Sequence, residues 1–157
     1  MLNKLISQST KSKGLFITFE GGEGVGKTTQ INLLKSYLLN INYKVVCSRE
    51  PGGTIEGEQV RKLLVSGSSK TWDPMSEALM FNASRRQHIN KIILPSLDKG
   101  NIVLCDRFID STIVYQGYAG SIQQSILKDL HKKFCYNLYP DLTFFLDLDP
   151  SLGLKRT

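Results

Sequence analysis

A chain of 157 residues, 41% apolar and 22% charged, is long enough for one ordinary domain with a full core and has the composition of a globular protein. Twenty Lys and Arg against 14 Asp and Glu give a net charge of +6. The basic residues are scattered rather than gathered into runs, so the bias suits an anionic small-molecule substrate and argues against a dedicated nucleic-acid surface.

The leader "MLNKLISQSTKSK" has no apolar run of signal-peptide length, and no stretch reaches the ~18 residues of a membrane span, so residues 1–13 read as a loose polar tail. Cys47, Cys105 and Cys135 are odd in number, widely spaced and set in or beside apolar runs. They read as reduced core residues, with neither a disulfide framework nor a structural zinc, and the cytoplasm is the expected compartment.

In chain order, Leu15 to Phe19 reads as a buried strand, and "FEGGEGVGKTTQ" follows it. The spacing Gly21-x-x-x-x-Gly26-Lys27-Thr28 fits a phosphate loop, whose glycines let backbone N–H groups turn inward on nucleotide phosphates. Lys27 would reach the β- and γ-phosphates, and Thr28 would offer its hydroxyl to Mg²⁺. Ile31, Leu34, Leu38 and Ile41 then recur at helical spacing, which sets the loop at a helix N-terminus that favours anions.

"YKVVCS" predicts a second strand, and Glu50-Pro51-Gly52-Gly53 a loop at its carboxyl end. A helix is predicted over about Ile55 to Val65, with Val60 and Leu64 on one face and Arg61 pointing elsewhere. Ser66-Gly67-Ser68-Ser69 punctuates the chain without separating domains. From Pro74 to about Leu97 a longer helix carries Ala78, Leu79, Phe81, Ile89 and Ile93, with Pro74 near its start and Gly100 past its end.

Asn101 to Cys105 and Leu142 to Leu148 are near-continuous apolar runs, as expected of parallel strands covered by helices on both faces. Strands alternating with helices predict a parallel α/β sheet with its active residues at the strands' carboxyl ends. Asp106 and Arg107 stand there, directly after the third strand. Asp106 suits the organisation of Mg²⁺, and the five donors of Arg107 suit a phosphate. Asp110 and Ser111 are expected only to cap the following helix. The nearest match to a guanine-reading motif, Asn90-Lys91-Ile92-Ile93, lacks its aspartate, which disfavours a GTPase and leaves ATPases and phosphotransferases.

Five stretches resemble the bacterial thymidylate kinase family: "FEGGEGVGKTTQ", "SREPGGT", "MFNASRRQH", "CDRFIDSTIVYQGYAG" and, more softly, "YPDLTFFLDLDPSLGLKR". The resemblance runs from Gly14 onward and implies a three-layer P-loop nucleoside monophosphate kinase fold. It also implies transfer of the γ-phosphoryl of ATP to dTMP, giving dTDP, with Mg²⁺ as cofactor and a homodimer as assembly. By resemblance Gly21, Gly22, Glu23, Gly24, Val25, Gly26, Lys27, Thr28 and Thr29 form the ATP site, and Thr28 and Asp106 serve the metal. Lys27, Asp106, Arg107 and Glu23 are the catalytic candidates; Glu23 would face the acceptor and marks the family branch with an acidic loop.

The implied dTMP site comprises Glu50, Pro51, Arg61, Phe81, Arg85, Arg107, Thr112, Tyr115 and Gln116. Phe81 would stack on thymine and Arg85, four residues on, would donate to its O4. Arg107 would hold the acceptor phosphate and Tyr115 would pack beneath the deoxyribose, with Arg61, Thr112 and Gln116 at the rim. Members of the family continue past the equivalent of Arg156 into an arginine-bearing lid and a fifth strand, so residues 14–157 read as a kinase domain incomplete at its C-terminal side. Two other readings stay open: a kinase for another nucleoside or nucleoside monophosphate, and a noncatalytic nucleotide-binding fragment.

Overall fold

The computed structural model describes residues 14–65 and 72–156. The polar tail read over residues 1–13 and the Ser66 to Ser69 punctuation lie outside the described residues. Two compact units are present, one made of the described residues up to Ser48 with Pro95–Asp106 and those from Pro140 onward, the other of Arg49–Leu94 and Arg107–Tyr139.

The first unit is an α/β sheet. Strand β1 is Leu15–Gly21, helix α1 is Lys27–Asn40, β2 is Val45–Arg49, β3 is Ile102–Asp106 and β4 is Leu142–Leu146. Their order is β2-β3-β1-β4, with β1 parallel to both neighbours. The chain leaves β1 for the β2 side and returns to place β4 on the other, so the strand order reverses at the carboxyl end of β1, where open α/β sheets bind their ligands. Leu15, Ile17 and Phe19 on one face of β1 pack with Ile31 and Leu38 of α1 and with Ile102 and Leu104 of β3. On the other face Phe16, Thr18, Val103 and Cys105 are buried as well, and the hydroxyls of Thr18 and Thr143 meet at 2.9 Å across the sheet.

Three expectations change here. Among the described residues β2 and β4 are the outer strands of the sheet, and Phe145 is 73% exposed, so β4 is not covered on both faces. Cys47, on β2, is likewise exposed rather than a core residue, while Cys105 and Cys135 are buried. Ile41 is an exposed residue past the end of α1 and does not belong to its buried face.

The second unit is helical. Helix α2 is Ile55–Val65 and α3 is Pro74–His88, followed by a wide π turn, Ile89–Ile93; the short α4, Leu94–Asp98, falls in the first unit from Pro95 onward. Asp73 caps α3, its Oδ1 accepting from the N–H groups of Met75 and Ser76 at 3.0 Å, and Pro74 fills the first turn where no N–H partner is needed. Helix α5 is Ile109–Thr112, a π-helical stretch spans Ile113–Ala119, and α6 is Gln124–Phe134. A final short helix in the first unit, α7, is Pro150–Leu154.

The buried stripe of α3 is not the apolar one the sequence suggested. Ala78, Ile89 and Ile93 are buried, but Leu79 is exposed and Asn82, Ser84, Arg85 and His88 occupy the buried side. Positions 78, 82, 85 and 89 are successive steps along one helix face, and two of the four are polar.

Candidate active site

The turn between β1 and α1 needs backbone conformations that side chains resist. Gly21, Gly24 and Gly26 have φ of +141°, +66° and +96°, a region that glycine enters without a Cβ clash. At Gly24 a Cβ would also stand 2.0 Å from the carbonyl oxygen of Gly153, because α7 packs directly on the loop. Lys27, the first residue of α1, is buried, and its Nζ donates to the carbonyls of Gly22 at 2.7 Å and Gly21 at 3.2 Å, drawing the loop around the ammonium. Thr28 and Thr29 follow, exposed, and the first turn of α1 holds no acidic side chain to compete for its N–H groups.

Asp106 ends β3 opposite Phe19 in the β1–β3 register, one strand away from the start of the loop. Sequence reasoning passed over one neighbour of this loop, Glu20, which is buried at the end of β1; Arg156 also reaches the loop, donating from Nη1 to the Gly24 carbonyl at 3.5 Å. The β1–loop–α1 arrangement with an acidic strand end beside it is that of a P-loop nucleotide-binding protein.

The second unit gathers most of the acceptor candidates around one buried ion pair. Arg85 is 2% exposed and donates from Nε to Glu50 Oε2 at 2.7 Å. From Nη2 it donates to the Phe108 carbonyl at 3.2 Å and the Thr112 hydroxyl at 2.8 Å, and its Cζ lies 5.0 Å from the centre of the Phe108 ring. The buried Nη1 has no hydrogen-bond partner among the described residues. The other Glu50 oxygen lies 2.9 Å from His88 Nδ1. Burial by itself would raise the Glu50 carboxyl, but the Arg85 charge and the hydrogen bonds from His88 and Arg85 outweigh it and hold the group below the usual carboxylate range.

Around this pair, Arg61 donates to the Pro51 carbonyl at 3.0 Å, and Glu58 Oε1 accepts from the Gly53 N–H at 3.2 Å and from Arg49, so the loop after β2 is tied to α2. Gln116 donates to Glu77 at 3.4 Å. Phe81 is half-buried and Tyr115 exposed, the latter 5.6 Å from the Arg107 guanidinium. Arg107 takes a φ of +69°, uncommon for a residue with a side chain, and donates to Ser111 Oγ at 3.2 Å.

This corrects the reading of Asp110 and Ser111 as caps. Helix α5 begins at Ile109, so its cap position falls on Phe108, which offers no side-chain oxygen, and Ser111 instead receives the guanidinium. The sequence also missed Phe108, Glu58 and His88; Glu58 carried no local signal, while Phe108 and His88 sat unread inside "CDRFIDSTIVYQGYAG" and "MFNASRRQH".

The chain matches the family model for thymidylate kinase over residues 19–157. It is 51% identical over 143 residues to the thymidylate kinase of Bartonella quintana (strain Toulouse), covering 91% of this chain and 67% of that protein. It is 47% identical to that of Pelobacter propionicus, covering 91% and 65%. A crystal structure of thymidylate kinase from Ehrlichia chaffeensis superposes with a TM-score of 0.80 at 49% identity, covering 91% of this chain and 79% of that one. The chain therefore belongs to the thymidylate kinase family, phosphotransferases that act on dTMP. It spans about two thirds of the length of the curated relatives it matches.

Proposed function

We propose that this chain binds ATP at the loop Gly21 to Thr29 and dTMP through the residues around Arg85, and that it serves the transfer of the γ-phosphoryl of ATP to dTMP. The observation that supports the donor half is the glycine-built turn closed on Lys27 at the start of α1. Phosphoryl transfer asks the protein mainly for positioning and charge stabilisation, and Lys27 with the N–H groups of α1 supplies both.

The residues fit Mg²⁺. This ion takes one or two protein oxygens and fills its octahedron with phosphate and water, and the exposed Thr28 hydroxyl with the Asp106 carboxylate is such a set. No cluster of three or more His, Cys, Asp or Glu among the described residues suggests a separate cage. Bound there, Mg²⁺ would neutralise charge on the phosphates.

On the acceptor side, Arg85 Nη1 is a buried donor without a partner among the described residues, which costs about 1–3 kcal/mol unless a ligand meets it. A carbonyl such as thymine O4 would satisfy it, and the amino group of cytosine would not. Phe81 then offers the ring for the base, Arg107 the charge for the acceptor phosphate, and Tyr115 a wall for the sugar. Arg61, Thr112 and Gln116 hold the surrounding loop and helix, and Glu50 acts from behind Arg85. Glu23 is assigned to the acceptor side of the loop. A homodimer and a cytoplasmic location belong to the same reading on family resemblance; no described helix is long and apolar enough to cross a membrane.

A coupled ADP-release assay with a panel of nucleoside monophosphates tests the proposal. Release driven by dTMP far above that driven by dCMP is expected, with Arg85→Ala eroding the preference more than the affinity for ATP. Equal use of dCMP and dTMP would overturn the assignment.

A further inference from the structure

We propose that His88 is a positioning residue for acceptor recognition: its Nδ1–H holds Glu50, and Glu50 in turn holds the Arg85 guanidinium in the one orientation that leaves Nη1 for the nucleobase. The inference rests on the acceptor reading above. Three buried side chains form the relay, His88 at 0%, Glu50 at 5% and Arg85 at 2% exposure. Both Glu50 oxygens are used, Oε1 toward His88 at 2.9 Å and Oε2 toward Arg85 at 2.7 Å.

An ionised carboxylate can only accept, so Nδ1 must carry the proton in this pair. The carboxylate is held ionised by its partners despite burial. Without the His88 bond, one oxygen of a buried carboxylate loses its donor, and the group gains a reason to rotate toward a second contact with Arg85. The edge of a guanidinium that a carboxylate forks is Nε with Nη2, so a rotated Glu50 would compete with the Phe108 carbonyl and the Thr112 hydroxyl for Nη2, the bonds that fix the plane of the group and hence the direction of Nη1. His88 and Arg85 lie three apart on α3 and so share a face, which makes the relay rigid at both ends.

The test compares two amides in the full chain. In His88→Asn the side-chain NH₂ falls where Nδ1 was; in His88→Gln it falls near Nε2. By calorimetry, His88→Asn should keep dTMP affinity within about threefold, and His88→Gln should lose about tenfold, the size of one hydrogen bond to a charged group. Both should bind a nonhydrolysable ATP analogue as the unsubstituted chain does.

Equal dTMP affinity for the two variants, or a matching loss for ATP, would overturn the inference. Nitrogen-15 chemical shifts of His88 in the unsubstituted protein decide the matter without any variant, because a proton on Nε2 alone breaks the relay. If the unsubstituted chain does not distinguish dTMP from dCMP, the acceptor reading fails; if it does and the two amides behave alike, only the role of His88 fails.

Discussion

Replacing Glu50 by Ala should cost this protein about 4 kcal/mol of stability. The carboxylate is buried and engages Arg85 and His88 at hydrogen-bond distance. Removing one member of a buried ion pair typically costs about 3–5 kcal/mol, because the remaining charge keeps its desolvation penalty without its partner. Arg85 would retain the Phe108 carbonyl and the Thr112 hydroxyl, which places the cost near the middle of that range, even with His88 losing its acceptor. For a domain of this length each kcal/mol moves the melting temperature by roughly 2–4 °C, so a fall of about 8–16 °C follows. Glu50→Gln should lose about half as much, since the amide oxygen can accept from Arg85 or from His88 while its NH₂ faces the other donor. Chemical denaturation of the three proteins, read by circular dichroism, measures these differences. A loss below about 1 kcal/mol for Glu50→Ala would refute the reasoning, because it would mean that the guanidinium finds water and is not buried with its partner. The double replacement Glu50→Met with Arg85→Met should recover much of the loss, as apolar substitutes for whole buried pairs often do.

Lys27→Ala should lower dTMP-dependent ADP release by roughly 10²-fold or more, as expected for a group that stabilises charge on the transferred phosphoryl; near-normal turnover from folded protein would remove the loop from the mechanism. Within that loop, Gly24→Ala should weaken binding of an ATP analogue sharply and Gly22→Ala hardly at all, because a Cβ at Gly24 meets the Gly153 carbonyl at 2.0 Å whereas one at Gly22 meets only Val25 at 3.7 Å; equal effects by titration would deny that α7 braces the loop. The folded-state pKa of Glu50 is depressed, so its contribution to stability is fully present above the ordinary value of 4.5 and is lost as pH falls from there through the lower folded value. Melting curves from pH 7 downward should therefore decline more steeply below about 4.5 for the unsubstituted chain than for Glu50→Gln, and parallel declines would contradict the assignment.

The phosphate loop was legible in the sequence because its requirement is local: three glycines at positive φ, a lysine at the first helical position, and a strand on one side and a helix on the other. β1 and β3 were legible for a different reason. Their faces are both buried, so they read as unbroken apolar runs. The same composition misled at β4, where Phe144 and Phe145 are adjacent and apolar but only the first packs against the core. Nothing in a run of residues states which strand will stand at an edge, since that depends on pairings with Leu15 to Gly21 more than a hundred positions earlier.

Helix α3 shows the deeper limit. Apolar periodicity finds a buried face only where burial is bought with apolar atoms, and here Asn82, Arg85 and His88 take those places. A charge is tolerated inside only when its counter-charge arrives with it. For Arg85 that partner is Glu50, 35 residues away, and for His88 the same carboxylate, 38 away. Read alone, Arg85 and Arg86 look equally like a solvated pair on a helix surface, yet Arg85 is 2% exposed while Arg86 stays outside, donating to the Phe134 carbonyl. What separates two adjacent arginines is thus where Glu50 stands after β2, and that position is fixed by Glu58 and Arg61 holding the backbone of Gly53 and Pro51. In the acceptor reading proposed above, specificity depends on a loop far from α3 in sequence, and a change at Glu58 should reach Arg85 through Glu50 before it reaches any nucleotide.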